Sequence, residues 1–462
     1  MKRKGKWREI AAIAAPVVVS KLSFTAMGLV DTAMVGRLGA SQQGAVGIAT
    51  TFMFTVYVFG LGLIGVVNTF VSQYHGSNKP SMCGVSLGHG IRLAVGLGTV
   101  TYLILVLSEP LFAMAGLSEE VCRYGYGYMF FRIIGLPGVF LYWAYNGYLE
   151  GLGETRVPMY ISLAANVVNI ALDYTLIFGA GPIPALGVEG AGMATAGSNL
   201  FMLVCFAVVV HRKGGRFTRF GSARIGARIR WALMARMIRV GFPMGVQFFL
   251  EIGAFLLFSV MVGWVGDEAL AAHQVALRLL SVSFMAAWGI SVAATTLVGR
   301  HQGEGRSDLA MAAGLRTVII SVGYTLVTGA VLVSVPALLA GLFTPFEDVA
   351  ATAATLLYVA AALQIFDGVS IVSYGALKGA GDTRWPMFAA VVINWTLGVP
   401  LVYFLTIAVG MGVLGAWLGM GAMLTIQGLA MFWRFKAGRW SQTLLVSAPS
   451  LPGGAGRPRA AE

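Results

Sequence analysis

Apolar runs of about 20 residues return along this chain almost from end to end, and each can cross the ~30 Å hydrocarbon core of a bilayer as a helix. Of the 462 residues 57% are hydrophobic and 11% charged, whereas a soluble domain carries roughly 25% charged residues. A cytosolic enzyme, a disordered chain and a disulfide scaffold are thereby excluded. Because lipid offers no hydrogen-bond partners, each run must satisfy its own backbone, which makes the expected fold an all-α polytopic membrane protein. Breaks at charged or Gly/Pro clusters predict spans at 10–35, 45–72, 87–108, 124–149, 158–179 and 190–211, then 237–263, 271–298, 311–335, 350–377, 386–408 and 411–435.

Basic residues sit at the ends of these spans. The formal net charge of +13 therefore reads as a topology signal rather than a nucleic-acid surface. From Arg212 to Arg239 there are nine Lys/Arg and no acid, so this segment is expected in the cytosol, against the inner leaflet. An even number of crossings puts the N-terminus there too. Glu109, Glu119, Glu120, Asp267, Glu268, Glu347 and Asp348 fall on the opposite side. The start, MKRKGKWREI, resembles a signal peptide, but its apolar run passes through Lys21 and Asp31 without a small-residue cleavage site. It reads as a retained first helix. Three separate cysteines and five unclustered histidines give no metal or disulfide pattern.

The two sets of six spans are copies. VGRLG at 35–39 returns as VGWVG at 262–266, SQYHG at 72–76 as GRHQG at 299–303, and Pro16 as Pro243, all by a shift of 227. LEGLGETRVPM at 149–159 returns as LKGAGDTRWPM at 377–387, a shift of 228 that also carries Asn166 onto Asn394. Six spans per copy give both copies one orientation, so a pseudo-two-fold axis should run along the membrane normal, as in transporters that rock around a central site. The expected division is an N-terminal lobe at 1–211, a basic cytosolic linker at 212–236, a C-terminal lobe at 237–436 and an unstructured cytosolic tail at 437–462.

Carboxylates inside a membrane are costly, and each is a functional-site hypothesis. Four fall within spans: Asp31, Asp173, Glu251 and Asp367. Asn166, Asn169 and Asp173 share a stripe of one helix, as do Gln247 with Glu251, and Gln364, Asp367, Ser370 and Tyr374. Such stripes must face a bundle interior or a watery cavity. The duplication sets Phe258, Leu401, Phe24 and Val139 opposite the four acids. The scaffold is shared, while the chemistry differs between copies. Taken singly, Asn166 and Ser370 read first as interhelical glue. Lys21, Arg132 and Arg278 are candidate counter-ions, although Lys21 and Asp31 are about 80° apart around their helix and do not pair directly. Ten Trp, 27 Phe and 21 Met suit an adaptable apolar cavity, or ordinary core and lipid packing.

LVDTAMVGRLG at 29–39, NVVNIALDYTLIFG at 166–179, GFPMGVQFFLEIGAF at 241–255, AAHQVAL at 271–277 and FDGVSIVSYGALKGAGDTRWPM at 366–387 together resemble the MATE (multidrug and toxic compound extrusion) family over residues 10–435. The resemblance implies twelve helices in two six-helix bundles and a rocker-switch antiporter that expels organic cations in exchange for Na⁺ or H⁺. It implies an N-lobe cation or proton site at Asp31, Asn169 and Asp173 with Thr195, where Na⁺ could bind, and a C-lobe cation and substrate site at Glu251 and Asp367; the polar stripes add Gln247 to the C-lobe set, and Asn166 and Tyr374 as supporting residues. Glu251 and Asp367 are similar to the NorM branch, Asn169 with Asp173 to the DinF branch. Arg278 departs from the NorM pattern. No cofactor beyond the coupling ion, no nucleic-acid partner, a monomer and a multi-pass place in the cell (inner) membrane with both termini cytosolic complete the expectation. The alternative is a flippase of lipid-linked oligosaccharide or peptidoglycan precursors from the same superfamily. An intramembrane enzyme would need a catalytic constellation, and no HExxH or partnered nucleophile occurs.

Overall fold

Residues 2–108, 118–443 and 445–446 are described by the structure, a computed structural model. Among them are 12 helices long and apolar enough to span a membrane. They are α1 (Trp7–Gly36), α2 (Ser41–Gly76), α3 (Pro80–Val106), α4 (Glu119–Gly151), α5 (Arg156–Phe178), α6 (Gly187–His211), α7 (Trp231–Gly263), α8 (Asp267–Gly303), α9 (Ser307–Ser334), α10 (Glu347–Ala380), α11 (Arg384–Ala408) and α12 (Gly412–Lys436). Every expected span is present, and several are longer than expected. The helix containing α8 has 37 residues, about 55 Å at 1.5 Å per residue, so its ends stand clear of the hydrocarbon. Local chemistry fixes these ends. Ser118 caps α4 by accepting from the Val121 N–H at 3.4 Å. Asp267 and Glu268 open α8 while Arg300 and His301 close it, each charge opposing the helix dipole. Gly381, at φ 93°, ends α10 in the left-handed conformation that favours glycine.

Packing follows the duplication. Within the first lobe α2 and α3 pack on α4, α4 and α5 on α6, and α1 on α5; the same pairs six helices on build the second lobe. Between lobes α1 meets α8, α2 meets α7, and α2 meets α8. The first two contacts exchange under a two-fold rotation, and the third lies across its axis. Glycines show this atom by atom. A Cβ on Gly76 would lie 1.9 Å from the Arg300 carbonyl oxygen, and one on Gly303 would lie 2.1 Å from the Gln73 carbonyl oxygen. These contacts are the same contact shifted by 227. All of this seam lies toward the end of the bundle that carries the linker.

Two sequence expectations need correction. The lobes do not divide cleanly at the linker, because the first helix of each crosses over. Ile10, Ile13 and Ala14 of α1 are buried in a core built from α8, α9, α10 and α12. Leu233, Met237, Val240 and Met244 of α7 are buried in the first lobe's core. Pro16 and Pro243 stand where each helix passes from the other lobe back to its own. The linker also packs on α3: Ile225 and Phe217 join the first lobe's core, Arg92 donates to the Ala227 carbonyl at 2.8 Å, and the Arg230 N–H donates to His89 Nε2 at 2.9 Å. Nor is the chain unstructured from 437. Arg439–Gln442 forms a short helix, Trp440 stacks on Phe435, and Arg236 donates to the Leu445 carbonyl at 2.8 Å. A buried indole and paired carbonyls leave that stretch little freedom. Residues 447–462 lie outside the described residues.

Candidate functional site

Two acidic sites form, one per lobe, each from helices distant in sequence. In the first lobe α1 brings Asp31, α5 brings Asn169 and Asp173, and α6 brings Thr195; all four are buried. Thr195 donates to the Asp31 carboxyl at 3.3 Å, and also to the Ala191 carbonyl at 3.0 Å. The Asp31 and Asp173 carboxyls lie against each other, with Asn169 within reach of Asp31. One Asp31 oxygen, both Asp173 oxygens and both polar atoms of Asn169 are buried without a hydrogen-bond partner. Two ionised carboxylates in such contact repel strongly at low dielectric, and a shared proton or a small cation would relieve the repulsion. Arg132 on α4 lies within electrostatic reach of Asp31. It is anchored by Tyr128, whose hydroxyl accepts at 2.9 Å, and by Thr50 at 3.5 Å. Asn166 stands apart from this cluster. Its amide donates to the Ser23 carbonyl at 2.8 Å and contacts the Ser23 hydroxyl, which makes it glue between α5 and α1.

The second site lines a cavity of about 310 Å³ between the lobes. Gln247 and Glu251 on α7, and Asp367, Ser370 and Tyr374 on α10, reach it together. Phe54 and Val58 of α2 cover it from the first lobe, and Phe248, Phe255, Phe284 and Trp288 supply aromatic wall. Glu251 and Asp367 stand within electrostatic reach of each other. The stripe on α10 divides at Gln364, which is not in the wall. Its side-chain oxygen Oε1 accepts from Ser283 at 2.7 Å and Thr328 at 3.1 Å, tying α10 to α8 and α9. Arg278 is exposed and outside the cavity lining, so this departure does not place a cation in the wall.

Three features escaped sequence reasoning. Gln427 of α12 donates to Glu251 at 3.4 Å, and its only sequence signal was a polar residue in an apolar run. His273 is fixed between helices: Trp417 of α12 donates to its Nδ1 at 3.1 Å, and its Nε2 meets the Ser259 hydroxyl of α7 at 3.0 Å. Lys378 joins the cavity lining, close to Lys21 and Glu150. Among the described residues no group of three or more His, Cys, Asp or Glu could hold a metal ion. An Asp–Asp–Asn–Thr set nevertheless consists of hard oxygen donors suited to Na⁺.

Duplicated six-helix bundles, packed along a seam at one end beside a largely apolar cavity that carries an acid pair, define a two-lobe membrane transporter. The chain belongs to the MATE family, and the MatE family profile matches it twice, over residues 16–175 and 243–404. It is 34% identical to the multidrug resistance protein NorM of Burkholderia vietnamiensis over 452 residues, covering 96% of this chain and 95% of that protein. It is 31% identical to the multidrug resistance protein MdtK of Yersinia pestis, covering 94% and 95%. Among solved structures, an outward-facing multidrug resistance MATE transporter of the MOP superfamily superposes with a TM-score of 0.87 at 19% identity, covering 94% of this chain and 97% of that one. The protein is thus a multi-pass membrane transporter and not an enzyme.

Proposed function

We propose that the protein is a secondary antiporter of the cell (inner) membrane that expels organic cations in exchange for H⁺ or Na⁺. The observation that carries this reading is the separation of two acidic sites. One is a tight, buried Asp31–Asp173 pair with Asn169 and Thr195; the other is an acid pair in the wall of a cavity large enough for an organic molecule. The first suits a proton or a small ion, which would neutralise the pair and alter how α1 packs on α5. The second suits a cationic cargo, since a monovalent organic cation leaving water needs a counter-charge. Multidrug names among the relatives support drug-like small molecules as cargo. The positive-inside rule puts the linker, the seam and both termini in the cytosol, which makes this the outward-facing state. Pro16 and Pro243, at the crossover points, lack a helix hydrogen bond and are the natural places for bending as the lobes rock. Both acidic sites are built from residues of one chain, so a monomer suffices for this reading.

Flippases of anionic lipid-linked precursors would call for a basic cavity. Here the wall carries Glu251 and Asp367 against Lys378, which favours cationic cargo. Ethidium uptake into inverted vesicles under an imposed pH or Na⁺ gradient tests the reading. Uptake driven by one gradient and abolished by collapsing it is expected; uptake indifferent to both would refute ion-coupled antiport.

A further inference from the structure

Beneath the acidic cavity lies a second charged cluster, which meets the cavity through Lys378. Glu150 of α4 is buried, and its carboxyl accepts from Asn146 at 2.8 Å and from Asn68 of α2 at 3.5 Å. Thr296 of α8, in the other lobe, donates to the Asn68 side-chain oxygen at 3.4 Å and to the Glu150 carbonyl at 3.0 Å. Lys21 of α1 and Lys378 of α10 are both buried and both within electrostatic reach of Glu150. The Lys21 ammonium stands 4.5 Å from the centre of the Trp143 ring and 5.4 Å from that of Trp288, one indole from each lobe. Trp288 and Lys378 also line the cavity. The cluster therefore sits where the lobes meet, at the seam end of the cavity.

Its groups do not pair off one to one. Two lysines face one glutamate at the floor, while the wall above carries Glu251 and Asp367. A low-dielectric site focuses such a field rather than screening it. Cation–π contacts hold the Lys21 charge without neutralising it. A cation in the cavity is drawn to the wall and repelled by the floor. The seam below is closed by backbone contacts, and the cluster stands between that seam and the cavity.

We propose that Lys21 and Lys378, positioned by Glu150, form an electropositive barrier that keeps cations from slipping through the seam without a full transport cycle. The inference rests on the cationic-cargo reading and assigns these three residues a specificity role that packing alone would not give them. Charge, rather than fit, makes the barrier, so its loss should discriminate by charge.

The test uses the full chain in proteoliposomes held at a membrane potential with no Na⁺ or pH gradient. Influx of tetraethylammonium is measured against influx of the neutral tracer mannitol. Lys21→Met and Lys378→Met should each raise tetraethylammonium influx about tenfold, equivalent to ~1.4 kcal/mol of barrier, with mannitol at the wild-type level. Lys378→Arg, which keeps the charge, should remain at the wild-type level for both. Should one Met variant fail to fold, the other reads the same barrier from the opposite lobe. Unchanged tetraethylammonium influx in the Met variants overturns the proposal. So does a parallel rise of both tracers, which would mean a loosened seam. Gradient-driven ethidium transport by the wild type is read separately, so failure of the antiport reading and failure of the barrier are distinguishable.

Discussion

Adding one methyl group at the seam should tilt the whole conformational equilibrium. In Gly76→Ala the new Cβ would lie 1.9 Å from the Arg300 carbonyl oxygen, 2.7 Å from its carbonyl carbon and 3.0 Å from its Cα. All three are backbone atoms of a long helix, so no side chain can swing aside, and α2 and α8 must separate. Overpacking of this kind costs about 1–3 kcal/mol. On the rocking reading the seam parts in the other state, so that cost falls on this state alone and shifts its population by about 5- to 150-fold. Gly303→Ala drives its Cβ against the Gln73 carbonyl oxygen, 2.1 Å away, and should act alike because the two contacts are related by the duplication. The double variant should be less than additive, since either methyl already opens the same gap. Gly44→Ala, with nothing within 4 Å, is the control and should be neutral or slightly stabilising through helix propensity. The assay is maleimide labelling of a cysteine introduced at Ser72, which is fully buried in the seam, in a background lacking the native cysteines. Labelling should rise steeply in the two seam variants and not in the control. Equal labelling in Gly76→Ala and the parent would refute the argument that the seam is a backbone contact specific to one state.

Other outcomes follow from the sites. Asp31→Asn and Asp173→Asn should each abolish gradient-driven efflux while leaving a folded, membrane-inserted protein, as read by efflux and detergent size-exclusion; wild-type rates in both would make the pair structural. Glu251→Gln and Asp367→Asn should weaken export of cationic dyes more than of neutral substrates, and equal losses would shift these acids to coupling or conformation. Gln427→Leu removes the neutral donor to Glu251 and should change the apparent affinity for cationic cargo without abolishing transport, which a saturation curve in vesicles would show. Trp417→Phe leaves His273 Nδ1 buried without its donor and should cost about 1–3 kcal/mol of stability, measured as a lowered thermal unfolding midpoint; an unchanged midpoint would show that the site relaxes around the loss.

The chain's own pattern settled much of this architecture. Twelve spans, their pairing six by six and the intramembrane acids could be read in one dimension, because hydrocarbon forces each span to satisfy its own backbone and to announce itself as an apolar run. The duplication even predicted contact symmetry, later visible at Gly76 and Gly303. Helix periodicity placed Asn169 with Asp173 and Gln247 with Glu251, since neighbours on one face share a helix. It could not say that Asn166, on the same stripe as Asp173, would be spent on Ser23 of α1, nor that Gln364 would turn to Ser283 and Thr328. Those choices depend on how each helix is rotated against its neighbours. The exchange of the α1 and α7 ends between lobes, the meeting of Lys21, Glu150 and Lys378 from three helices, and the reach of Gln427 to Glu251 were decided only when both bundles closed together. Partner identity across hundreds of residues is a property of packing, and no local pattern encodes it.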